Sequence, residues 1–256
     1  MNGGVGAEFD RSSPEYQWAS SIINAVHQRL GLRSRWNGRI CEELDPDTAG
    51  AACDNGTMTL SKEEVLEPAR TAYTTESPDI DVIRLARDAT ATVAHEAVHL
   101  CTHAGNPNAA GAHPARDAAA TALDEGLVEA WTHAHLDNIL YDIRADEVVP
   151  GVMDAKTEDA YPAYSGARNG FIDGLATISG RRRAELANQL MRTDISQRWN
   201  VIADIAIDAR LGSQISGEHR EQVRGRLANA LRADYAQVYA VEESELLDNA
   251  ASGVFS

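Results

Sequence analysis

The chain has 256 residues, enough for one large domain or two small ones and for a full core without disulfide staples. Hydrophobic residues make up 43% and charged residues 24%, the balance of an ordinary folded chain. Asp and Glu number 39 against 23 Lys and Arg, so the formal net charge is −16. That argues against nucleic acid and against anionic membrane surfaces, which both recruit basic residues.

In chain order, the first thirteen residues show no basic region followed by an apolar stretch, so no signal peptide is expected, and no apolar run is long enough to span a bilayer. Residues 14–31 predict a helix: Trp18, Ile22, Ile23, Val26 and Leu30 keep a 3.6-residue period and Gly31 ends it. A strand is expected around Arg39–Glu42 and a second in GTMTLS (56–61), whose Met58 and Leu60 alternate with Thr57 and Thr59 as in a half-buried strand. Cys41 and Cys53 flank the loop between them, and either pair across it or stay reduced; Cys101 reads as a core thiol. Ser61 and Glu64 form a capping box for a short helix over 62–72.

A long helix is then expected from Ser77 as N-cap, with Pro78 at its first position, to about His103, where Gly105 and Pro107 stop it. A Gly/Asn/Pro-rich loop (105–114) leads to a second long helix over 115–141. Four further helices are expected at about 158–178, 183–192, 195–211 and 217–240. The fold class is therefore α+β and helix-dominated, with a small N-terminal sheet. Residues 1–142 are expected to form one subdomain and 143–256 a helical C-terminal one, unless the two are continuous.

Six of the eight histidines fall within residues 95–135, and the chemistry lies there. VAHEAVHL (93–100) sets His95 and His99 one turn apart on one helix face, where two imidazoles reach one ion. Glu96 sits about 100° round the helix, beside such an ion and placed to take a proton from its water. The neighbours Ala91, Ala94, Ala97 and Val98 make a small apolar face on which an unpaired imidazole is costly. Downstream, TALDEGLVEAW carries Glu125 and Glu129 one turn apart, and either can complete a two-histidine, one-carboxylate set. Ala118, Ala122, Gly126 and Ala130 form a ridge of small side chains, and the glycine implies a backbone passing close by. Ala86, Thr90 and Ala94 offer a matching ridge on the first helix.

HEAVH followed by DEGLVEAW resembles the gluzincin branch of the zincin metallopeptidases, over roughly residues 56–135. The resemblance implies a bound Zn2+, with His95, His99 and Glu125 as ligands, Glu96 as general base and Glu129 holding the first histidine. It implies hydrolysis of a protein or peptide substrate. It also implies that TMTLS, like the strand before the active helix in that family, lines the cleft and pairs with substrate backbone. Tyr161 or Tyr164, in AYPAYSG, resembles the downstream tyrosine that stabilises the oxyanion in some gluzincins; each also reads as a packing residue at a helix start. The gap of 25 residues between His99 and Glu125 is longer than in many gluzincins, and nothing resembles the metzincin extension.

Other readings stay open. In one, Glu129 replaces Glu125 as ligand and Glu125 takes the supporting place. A zincin-shaped interaction module without activity, or a piece of a larger toxin or assembly, fits the same motif. A di-iron carboxylate bundle needs a second E-x-x-H, and no Glu besides Glu96 has His three residues on. His133 and His135 read as surface or packing residues, His103 and His113 as loop or capping groups, Trp131 and Trp199 as core, and Arg181–Arg183 as a solvated helix start.

Overall fold

The structure, a computed structural model, describes residues 5–157, 162–212 and 215–254. They form a helix-dominated α+β fold with one four-stranded mixed sheet. The chain divides into two compact units, each built from two segments: residues 1–101 with 131–158, and residues 102–130 with 159–256. No helix among the described residues is long and apolar enough to cross a membrane.

The first unit opens with strand β1 (Val5–Glu8) and helix α1 (Pro14–Leu30). Ser13 caps α1 by accepting from the Tyr16 N–H at 3.2 Å, and Gly31 closes it in the left-handed conformation, φ 61°. Of the expected stripe, Ile22, Ile23, Val26 and Leu30 are buried and Trp18 is half-buried; Ala19 beside it is buried as well. Strands β2 (Ile40–Glu43), β3 (Gly50–Ala52) and β4 (Met58–Ser61) complete the sheet in the order β1-β2-β4-β3. β2 and β4 run parallel; the other pairs are antiparallel.

The sheet corrects two expectations. β4 is buried on both faces, because Thr59 turns its hydroxyl onto the Glu43 carboxylate and so needs no solvent. Its backbone is paired on both sides, by β2 and by β3, so it has no free edge to offer a peptide. The strand beside the long helix is β3. All three cysteines are free thiols. Cys41 stands on β2 while Cys53 follows β3, two strands away, which is about 9.6 Å and beyond disulfide reach.

After β4, Ser61 accepts from the Glu64 N–H at 3.2 Å as expected. The helix starts with a wide turn over Lys62–Leu66 before helix α2 (Glu67–Thr74), because Pro68 lacks the N–H a regular continuation requires. Helix α3 runs Ile80–His99. Its N-cap is Asp79, not Ser77: the aspartate accepts from the Val82 N–H at 2.9 Å, which leaves Pro78 outside the helix. It also ends four residues before the expected His103. The His99 carbonyl takes a bond from Arg35 Nη2 at 3.1 Å and the Leu100 carbonyl one from the Arg35 backbone at 2.8 Å. Helix α4 (Ala118–Asp142) runs through both segments of chain, and the short α5 (Ala145–Val148) follows it. Ile83 and Ala86 of α3 share a core with Leu136 and Leu140 of α4 and with Val149 and Val152.

The second unit holds helices α6 (Pro162–Ser179), α7 (Arg183–Met191), α8 (Arg198–Arg210) and α9 (Gly217–Val254), with a 3-10 turn at Ile195–Gln197. Its core is aromatic. Phe171, Trp199 and Tyr235 meet edge to face at 5.1–5.8 Å, and burial pushes the Tyr235 hydroxyl well above its usual range. Residues 103–113 are tied to this unit: Ile195 and Ser196 donate to the carbonyls of His103 and Ala104, and His113 donates to that of Ser196.

Candidate metal centre

The last two turns of α3 carry His95, Glu96 and His99. Ala94, Ala97 and Val98 around them are buried, as are His95 and Glu96 themselves; His99 is half-buried. The two imidazoles converge, with Nε2 to Nε2 at 3.1 Å and the ring planes 61° apart. A tetrahedral ion at 2.0–2.1 Å from each would set those nitrogens about 3.3 Å apart, so the pair has the spacing of a shared ligand site. His95, His99 and Glu125 form a group that can hold a metal ion: one ligand atom from each lies within 4.8 Å of the others.

Arg87 fixes α3 against the second half of α4. Arg87 of α3 is buried and donates from Nη2 to Asp137 of α4 at 2.5 Å, from Nη1 to the Val152 carbonyl and from Nε to the Thr157 hydroxyl, both at 2.8 Å. Glu129 is buried, Glu125 half-buried.

Two features pin the first half of α4 and were not read from the sequence in this form. Asp124, next to Glu125, is buried against Arg198 of α8, whose Nη1 donates to it at 2.5 Å while Nε donates to the Leu190 carbonyl. The signal was there, a lone Arg at the head of an apolar helix, but nothing local names its partner. The close backbone at Gly126 is that of α6 and not the small ridge of α3: an added Cβ would lie 2.7 Å from the Tyr164 carbonyl oxygen and from Arg168 Cβ. Tyr164 thus stands in the turn of α6 packed beside Gly126, with its ring stacked on Tyr239 at 4.8 Å. Tyr161 lies outside the described residues.

The remaining histidines have their own settings. His135 stacks on Trp131 at 4.2 Å and shares a bond with its carbonyl; His133 is exposed; His113 faces Asn200 at 3.3 Å. Burial raises the Cys101 thiol to about 11, which keeps it protonated, and raises the Cys53 thiol, with the nearby Glu43 adding to the shift. Comparison of the chain with family models, curated proteins and solved structures gave no match.

Proposed function

We propose that the chain is a zinc-dependent metallopeptidase in which His95, His99 and Glu125 hold the ion and Glu96 is the general base. One observation carries this reading: two imidazole nitrogens and a carboxylate oxygen gather within 4.8 Å, with a second, buried carboxylate on the turn between the histidines. Two nitrogens and one oxygen are the donor set of a catalytic zinc site that keeps a position for water. Zinc, when bound, brings the pKa of its water to about 7 and polarises a carbonyl. Glu96 takes the proton of the attacking water and returns it to the leaving amine. Glu129, one turn after Glu125, is the proposed residue that fixes the tautomer of the first imidazole by accepting from its other ring nitrogen. Tyr164 is the candidate donor to the oxyanion, and the substrate class is a peptide or protein.

The purified protein is expected to carry about one zinc per chain. Glu96→Gln should keep that metal and lower cleavage of a mixed peptide library by about 100-fold or more. Protein that binds no zinc, or two irons, overturns the reading. Zinc-loaded wild type as inert as the variant makes the chain an interaction module of the same shape.

A further inference from the structure

The sheet meets the candidate centre at one residue. Gly50 opens β3, the edge strand, and lies against α3 where Thr92 and Glu96 face it. A Cβ at position 50 would lie 3.3 Å from Glu96 Cγ, 3.3 Å from the Thr92 methyl and 3.2 Å from the Thr59 carbonyl oxygen. The backbone of Gly50 is outside the left-handed region, so its conformation would admit any residue. What position 50 requires is therefore space.

Four groups bound the space for a side chain there. The strand is laced to β4 by the Gly50–Leu60 and Ala51–Thr59 pairs and by the Ser61 N–H to Ala49 carbonyl bond at 2.8 Å. The helix is packed in the core through Val93, Ala94 and Ala97. Thr92, stiff at χ1, donates to the Asp88 carbonyl. Glu96 has three rotatable bonds, the most of the side chains that meet the new Cβ.

We infer that Gly50 is a positioning residue: by omitting a side chain where β3 crosses α3, it sets the direction in which Glu96 holds its carboxylate. The inference rests on the reading of Glu96 as general base. Gly50→Ala, zinc-loaded and assayed on a mixed peptide library, should lower kcat by about tenfold or more, as small misplacements of a catalytic group do. KM and the dissociation constant for zinc should stay within about twofold of wild type, since the interaction acts on the reacting step and not on binding. Adding Thr92→Ser removes the methyl on the other side of the new Cβ and should recover kcat by about threefold or more. An unchanged kcat, a parallel loss of zinc affinity, or no recovery overturns the inference. If wild type cleaves nothing, the peptidase reading fails by itself. Gly50 is then judged by the visible spectrum of the cobalt-loaded protein: it should change in Gly50→Ala and return with Thr92→Ser, and an unchanged spectrum overturns the inference.

Discussion

Glu125 and Glu129 show what a single residue's place on a helix decides. They are one turn apart on α4 and carry the same group. Glu125 enters the group that can hold an ion, while Glu129 is buried one turn further on. On the proposed reading, Glu125→Ala removes one of three ligands and should weaken zinc binding by more than the roughly 10–100-fold loss expected when a residue that orients a ligand is removed, the role proposed for Glu129. Competition of Glu125→Ala and Glu129→Ala against a chelator measures both, and the reverse order would exchange their roles. This much of the site was legible in the sequence, because H-E-x-x-H and a later glutamate pair need only the helical period to be placed on faces. The choice of Glu125 over Glu129 came from the family resemblance and not from the helical period, which allows either; in the structure Glu125 joins the group. The Arg87–Asp137 bond, fifty residues apart in the chain, is announced by no local pattern.

Among elements, the long periodic helices were the legible part, and their ends and the short strands were not. The end of α3 was misplaced because Arg35, 64 residues earlier, takes its last carbonyls; β1 and β3 are short, rich in Gly and Ala, and exist through their ladders with β2 and β4. The same dependence on distant partners governs α4. Its first half is anchored by Asp124 on Arg198, a pair in which the arginine is 1% and the aspartate 7% exposed. Removing one member leaves the other as a buried, uncompensated charge. Asp124→Ala should therefore cost about 3–5 kcal/mol of stability, read from the midpoint of urea unfolding. Replacing both residues by apolar ones of similar volume should cost much less, because the desolvation penalty goes with the charges. Equal losses in the single and double variants would show that the pair acts only by filling space.

At the scale of the whole molecule, acid acts through groups that the fold keeps neutral. His27 of α1 is half-buried, its Nε2 is 3.0 Å from the Ser34 hydroxyl and its ring meets the edge of Trp36. Burial holds its pKa below the usual 6.5, and an interaction with the Ala97 backbone offsets this only in part. Between the folded and unfolded values, the unfolded chain binds more protons, so stability rises with pH there. The contribution is complete above about pH 6.5 and is lost as the pH falls through that value towards the lower folded one. Metal binding by imidazole is itself pH-dependent, so the measurement belongs on metal-free protein. The unfolding free energy of wild type should drop between pH 7.5 and pH 5.5 by more than that of His27→Gln, which keeps a hydrogen-bonding side chain but cannot charge. The difference between the two slopes cancels the easing of repulsion among carboxylates in a chain of net charge −16, because both proteins share it. Parallel slopes would place the acid sensitivity elsewhere in the molecule.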